Sequence, residues 1–285
     1  MILLTLNQVR KYPNNAVQGS VSMGENTIEQ IANDIKDALH RQFNNKEKRK
    51  FALRMSSIGR PSCQLWFEKN HPEKALPKPT TFVMNMMIGD IVEAIFKGLL
   101  KEANVEFKNS DKVSLQVGKD SITGTYDLII DGKVDDIKSA SNWSYKYKFD
   151  SFESLHENDG FGYVGQLAGY AKATNTKVGG WWVVNKSNGD FKYISANGLK
   201  VNDEIDKMKD TIAAVESKDL VRCFEPELEY FRGKATGNKV LNKNCTFCDY
   251  RHSCWDSLQE LPSQMSKAKE PKMVQYIELR KESNL

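Results

Sequence analysis

The sequence predicts an α/β or α+β core with helical additions at both ends, and three observations predict it. Apolar residues recur at helical spacing over 27–43 and 81–103, alternate with period two over three consecutive runs between 112 and 140, and return to helical spacing at 161–174. The turn pairs Asp131-Gly132 and Asn188-Gly189 each separate two alternating runs, as tight hairpins do. At 285 residues, with 40% hydrophobic and 27% charged side chains, the chain can bury the core of one large domain or two small ones.

Taken in order, residues 27–43 place Ile28, Ile31, Ile35, Ala38, Leu39 and Phe43 on one helical face, behind Asn26 as cap. "NNKEKRK" (44–50) follows as a charged linker. "RPSCQLWFEKNHPEKALPKP" (60–79) is punctuated by prolines and fits one or two helical turns and a loop. A second apolar face over 81–103 carries Phe82, Met86, Met87, Ile91, Ile95, Phe96, Leu99 and Leu100. "KVSLQV" (112–117), "SITGTYDLII" (121–130) and "KVDDIKSA" (133–140) are three predicted strands. "FGYVGQLAGYAKAT" (161–174) is a helix, "VGGWWVVNK" (178–186) and "FKYIS" (191–195) are strands, and 200–220 is a helix through Ile205, Met208, Ile212 and Val215.

Composition narrows the functional classes. The net charge of +4 permits a nucleic-acid partner without requiring one. No apolar run reaches the ~18 residues of a membrane span. "MILLTLNQVRKY" has no basic region before its apolar patch and no cleavage site, so no secretory signal is expected. Five cysteines without an export signal then point to a reducing, cytoplasmic setting, where clustered thiols mean metal or catalysis.

Two regions carry candidate chemistry. In "NCTFCDYRHSC" (244–254), Cys245, Cys248 and Cys254 follow a C-x2-C-x5-C spacing that lacks one ligand of a four-thiolate site. In "GTYDLIIDGKVDDIK" (124–138), Asp136 and Lys138 share a strand face, and Asp127 lies on the neighbouring strand. Two adjacent carboxylates repel unless a cation sits between them, and oxygen ligands suit Mg²⁺ or Mn²⁺. The acid-x-lysine pattern also occurs at Asp34, Glu106, Asp131 and Asp190, so solvated charges on an exposed strand face are the competing explanation. Asp135 competes with Asp136, which is preferred because it stands two before Lys138. Gln166 and Tyr170 lie one turn apart on a helix face opposite Val164, Leu167 and Ala171, and Glu93 lies on the polar side of the 81–103 helix.

Together and in this order, these motifs resemble the RecB-like branch of the PD-(D/E)XK nuclease superfamily. Within it they resemble the members that carry a four-cysteine iron–sulfur cluster, such as the AddB nuclease domain and CRISPR-associated exonucleases. The resemblance covers roughly residues 55–256, leaving 1–54 as an N-terminal helical region and 257–285 as a C-terminal tail or helix. It implies a restriction-endonuclease-like core, a central mixed sheet flanked by helices, with its terminal additions joined by a metal cluster. It also implies that Glu93, Asp127, Asp136 and the Ile137 carbonyl hold Mg²⁺ or Mn²⁺, that Lys138 is catalytic, and that Gln166 and Tyr170 orient the site. Cys63, 30 residues before Glu93, becomes the fourth ligand of a [4Fe–4S] cluster with Cys245, Cys248 and Cys254. Zn²⁺ is the alternative metal, and Cys223 is left over as a buried thiol or a substitute ligand. Two departures stand out: Tyr126 occupies the family's proline position, and Glu93 stands where a histidine is often found.

The implied activity is metal-dependent DNA exonuclease action on single strands or ends, in recombination or repair in a bacterium or phage-infected cell. The alternatives are a catalytically silent DNA clamp and a flap endonuclease. Trp143, Tyr145 and Tyr147 alternate with Lys146 and Lys148 after the catalytic strand, a pattern suited to stacking bases and neutralising phosphates. An amphipathic extension of that strand would look the same. Arg60 and the "KEKRK" run are further candidate phosphate contacts.

Overall fold

The computed structural model describes residues 2–44 and 51–280, so the basic run at 46–50 lies outside the described residues. The chain runs through α1 (Ile2–Val17), α2 (Glu25–Leu39), α3 (Met55–Ile58), α4 (Ser62–Asn70) and α5 (Thr80–Glu102). It continues through β1 (Lys108–Val117), β2 (Asp120–Ile130), β3 (Lys133–Ala140), α6 (Phe152–Glu157), α7 (Tyr163–Thr174), β4 (Lys177–Asn185), β5 (Phe191–Ser195) and α8 (Val201–Glu216). The last elements are β6 (Glu227–Phe231), β7 (Lys234–Val240), α9 (Arg251–Cys254), β8 (Gln259–Pro262) and β9 (Met273–Glu278).

These elements form two compact units, residues 1–59 with 79–210, and residues 60–78 with 211–285. The boundaries differ from the expected 1–54, 55–256 and 257–285. The segment around Cys63 joins the C-terminal unit, and α8 runs from one unit into the other.

The first unit is a mixed α/β layer structure. Its five strands stand in chain order; β1, β2 and β3 form an antiparallel meander, β4 joins β3 in parallel, and β5 returns antiparallel to β4. The β2–β3 hairpin turns at Asp131 and Gly132, both with positive φ (50° and 70°). A parallel step needs a crossover, and α6 with α7 supply it. Against one face Val9 and Tyr12 of α1 and Phe96 and Leu100 of α5 pack with Leu128, Ile130, Ile137 and Trp182. Burial of this group is the unit's main apolar stabilisation, about 1.5–3 kcal/mol per large side chain.

The helix faces are narrower than the sequence predicts. α2 starts at Glu25 with Gly24 as cap, so Asn26 sits inside the first turn, and it buries Thr27 and Ala38 while leaving Ile28 and Leu39 exposed. α5 buries Phe96 and Leu100 but exposes Phe82, Met86 and Ile95.

The second unit overturns one expectation outright: the C-terminal addition is an antiparallel sheet, ordered β6-β7-β9-β8, rather than a set of helices. Its alternation is hard to read because the polarity is reversed. On β6, Leu228 and Tyr230 are exposed, whereas Glu229 is buried and accepts hydrogen bonds from Thr236, Asn238 and Tyr276 at 2.7–3.0 Å. No helix among the described residues is long and apolar enough to cross a membrane.

Candidate active site

The candidate site lies where β2 and β3 part. Their ladder runs from the hairpin to the Leu128–Asp135 pair; beyond that, β2 remains paired with β1, and β3 with β4. Asp127 is the next residue along β2, and its Oδ2 accepts the Ile137 N–H at 2.7 Å in place of a backbone partner. The carboxylate thus satisfies a donor that the fork would otherwise orphan.

The pleat turns the two neighbouring acids to opposite faces of β3, and an extra residue in β4 opposite Val134–Asp136 shifts the register there. Asp135 turns to core donors: Gly180 N–H at 2.7 Å, Tyr193 OH at 2.8 Å and Trp182 Nε1–H at 3.2 Å. Burial pushes its carboxyl up to about 7 despite these three bonds. Asp136, 1% exposed, turns the other way towards Lys138, whose Nζ lies 2.8 Å from Oδ1 and 2.6 Å from Oδ2. Oδ2 takes part in that ion pair and meets no backbone N–H.

The remaining expected residues gather around this pair. Lys138 Nζ lies 3.5 Å from Gln166 Oε1, and Gln166 Nε2 donates to the Tyr170 hydroxyl at 3.3 Å. Asp127 is held well above the usual carboxylate range by burial, then by the charges of Asp136 and Glu93, against Lys138. Asp136 is raised by burial, with Lys138 opposing. Burial pulls the Lys138 ammonium down, but Asp136 and Asp127 outweigh it and the net shift is upward. Burial takes the Tyr170 hydroxyl up to about 12, so it stays protonated. Glu93, Asp127, Asp136, Lys138, Gln166 and Tyr170 therefore share one neighbourhood. The Ile137 side chain faces the core on the other side of the strand.

Glycine 124 has a specific part here. A Cβ at that position would come within 2.7 Å of the Tyr170 ring and 2.8 Å of Met55, so its absence lets α7 pack against the sheet.

Several expectations fail in detail. Gln166 and Tyr170 do not occupy an open helix face; every residue from Val164 to Ala171 is buried. Residues 144–148 form a single π-helical turn, not a strand extension, so the aromatic–lysine alternation does not share one surface. Trp143 and Tyr147 are exposed, with ring centroids 5.6 Å apart, and Lys146 is exposed beside them. Tyr145 is buried and donates to Asp190 at 3.0 Å, and Lys148 is buried too. Arg60 lies in the second unit and pairs with Glu68 at 3.4 Å. Two further residues stand beside the site. Lys97 ion-pairs with Glu93 at 2.6 Å, which its i+4 position could have signalled. The Tyr163 ring lies 4.9 Å from Lys138 Nζ, and nothing in the local pattern pointed to that.

All five cysteines belong to the second unit, and none is in a disulfide. Cys63 opens α4 and donates its N–H to Cys223 Sγ at 3.1 Å; the Ser62 hydroxyl lies 3.5 Å from the same sulfur. Cys245 and Cys248 are linked by a turn, Cys248 N–H to Cys245 C=O at 3.0 Å, and Cys254 ends α9. Hydrogen bonding to Cys223, then burial, raises the Cys63 thiol, while that contact draws Cys223 down to about 6. Burial, then Cys248, Cys254 and Cys223, takes Cys245 up to about 12. Each ligand candidate except Cys63 and Cys223 is raised chiefly by burial, and the mutual charge effects put the thiols in one neighbourhood. Among the described residues, no three His, Cys, Asp or Glu side chains already stand at metal-holding geometry.

No protein-family model matches the chain, and no curated protein does. Among solved structures it is similar to the crystal structure of SSO0001, at 16% identity and a TM-score of 0.42, over 64% of this chain and 84% of that one.

Proposed function

We propose that the protein is a metal-dependent DNA exonuclease built on a restriction-endonuclease-like core of the RecB-like PD-(D/E)XK type. One observation carries this most: Asp127 and Asp136 are buried side by side at a strand fork, each raised by burial and by the charge of Glu93, with Lys138 as the balancing cation. Acids crowded this way fit a divalent cation between them.

Glu93, Asp127, Asp136 and the Ile137 carbonyl would hold Mg²⁺ or Mn²⁺, which supplies Lewis-acid polarisation of a water and of the phosphate. Lys138 holds a fixed positive charge where negative charge builds on the phosphoryl oxygens. Gln166 steadies the lysine from behind, and Tyr170 steadies Gln166. Trp143 and Tyr147 offer exposed rings beside the catalytic strand, suited to unpaired bases.

In the second unit, Cys63, Cys245, Cys248 and Cys254 would hold a [4Fe–4S] cluster, with Zn²⁺ as the competing metal. The donor set is soft, and a bound cation would offset the burial that disfavours the thiolates. Such a cluster supplies a crosslink that needs no oxidising compartment. Anaerobic protein should absorb broadly in the visible blue and contain iron and acid-labile sulfide. A colourless, zinc-rich preparation would replace the cluster by Zn²⁺.

The activity test uses end-labelled single strands with Mg²⁺ or Mn²⁺, beside Lys138→Ala. Stepwise shortening by the wild type alone is expected; equal degradation by both proteins would remove the catalytic assignment. A circular, nick-free single strand should survive, and its cleavage would favour an endonuclease. Binding without any hydrolysis would favour a clamp.

A further inference from the structure

Among the described residues, Lys148 is a largely buried lysine that forms no ion pair, although the charge of Asp159 reaches it. The residue is 7% exposed, yet among the described residues its ammonium forms no ion pair and no hydrogen bond. Its surroundings are aromatic: Nζ lies 4.5 Å from the ring centroid of Tyr163, 4.8 Å from Phe161 and 5.8 Å from Phe149. Asp159 is the acid whose charge it feels, but both Asp159 oxygens are engaged at the start of α7. They accept the Tyr163 and Val164 N–H groups, each at 2.8 Å.

The same Tyr163 ring lies 4.9 Å from Lys138 Nζ, so the two ammonium groups are separated by no more than the sum of those two ring distances. Burial and the neighbouring Lys138 charge both oppose a proton on Lys148. Aromatic faces repay only part of the desolvation of a charge. A lysine placed this way beside a second lysine is stabilised when an anion enters between or beside them. Of the rings around the ammonium, Phe161 is 57% exposed, so this aromatic cluster has an edge at the surface; Tyr147, the residue before Lys148, is 61% exposed.

We propose that Lys148 is a phosphate-positioning residue. With Lys138 over the shared Tyr163 ring, its ammonium takes the backbone phosphate next to the one cleaved. This rests on the nuclease reading, in which Lys138 serves the scissile phosphate, and it extends the recognised unit from one phosphate to two consecutive ones. It narrows the expectation that Lys148 neutralises phosphates to one position on the strand.

The test combines Lys148→Met, which keeps the stem and removes the charge, with Lys148→Arg. The substrates are single-stranded oligonucleotides carrying one neutral methylphosphonate at successive positions. Lys148→Met should raise KM about 10- to 100-fold with kcat little changed, and Lys148→Arg should recover part of the loss. In the wild type, neutralising one phosphate flanking the scissile bond should cost a similar factor, and in Lys148→Met that particular penalty should vanish while penalties elsewhere persist. An unchanged methylphosphonate pattern in Lys148→Met, or a loss confined to thermal stability, would overturn the proposal as a packing effect. If the wild type hydrolyses nothing, the nuclease reading fails separately. Anisotropy binding of the same oligonucleotides then decides Lys148: position-specific loss supports it, and equal affinity of wild type and Lys148→Met rejects it.

Discussion

The two sides of β3 present neighbouring aspartates to opposite environments. On one side Asp135 meets three donors, and every one is fixed by strand pairing or by a core aromatic ring. On the other, Asp136 meets a second carboxylate and one lysine, whose ammonium approaches both of its oxygens. Both are buried, so burial alone does not distinguish a structural acid from a functional one. The balance of fixed donors does: the satisfied side holds the sheet together, whereas the unsatisfied side keeps interaction capacity for something outside the chain.

The largest expected effect lies on the unsatisfied side. Asp136→Asn or Lys138→Ala should lower hydrolysis by about 10²–10³-fold or more, with the folded fraction unchanged by circular dichroism. Retained activity in either would break the functional half of the contrast. Next comes the satisfied side. Asp135→Ala removes the acceptor of Gly180 N–H, Trp182 Nε1–H and the Tyr193 hydroxyl, and should cost about 3 kcal/mol in urea unfolding. Asp135→Asn should cost less, because Oδ1 still accepts while the amide cannot serve Trp182. If Asp135→Ala instead unfolds like the wild type but fails to hydrolyse DNA, the roles of the two acids are reversed.

How much of this was visible in the sequence follows from the range of the interactions. The β2–β3 hairpin is local: period-two alternation and Asp131-Gly132 suffice, and they bring Asp127 near Asp136 and place Lys138 on the same side as Asp136. The choice of Asp136 over Asp135 rested on its place two before Lys138, for which strand alternation suffices; the donors that occupy Asp135 come from β4 and β5, which no local pattern reports. The four-stranded sheet of the second unit was missed because Leu228 and Tyr230 face out and Glu229 faces in, reversing the expected hydropathy. Its hairpin was nonetheless marked by Arg232-Gly233, both with positive φ. The fate of residues 143–148 was not legible either. A π-helical turn and a strand extension can carry the same aromatic–lysine alternation, and the packing of Tyr145 against Asp190 across the unit decides between them.

The smallest expected effect is also the one that separates the two sides by sign. Asp127 and Asp136 both bind protons more tightly in the fold than an unfolded chain does, through burial and, for Asp127, the charge of its partner. Their contribution to stability is therefore fully present below the unfolded carboxylate value of about 3.9 and is lost as pH rises through their higher folded values. Metal-free protein at neutral pH should then carry this cost, and Asp136→Asn should raise its melting temperature by a few degrees. Adding Mn²⁺ should stabilise the wild type more than Asp136→Asn and narrow or reverse the difference. Asp135 is raised too, to about 7, so its titration alone carries the same sign; Asp135→Asn should nevertheless lower the melting temperature under both conditions, because Trp182 Nε1–H loses its acceptor whether or not a metal is present. A fall in melting temperature for metal-free Asp136→Asn would mean that Asp136 is held by its lysine as firmly as Asp135 is by the core, and the two sides of β3 would no longer differ in kind.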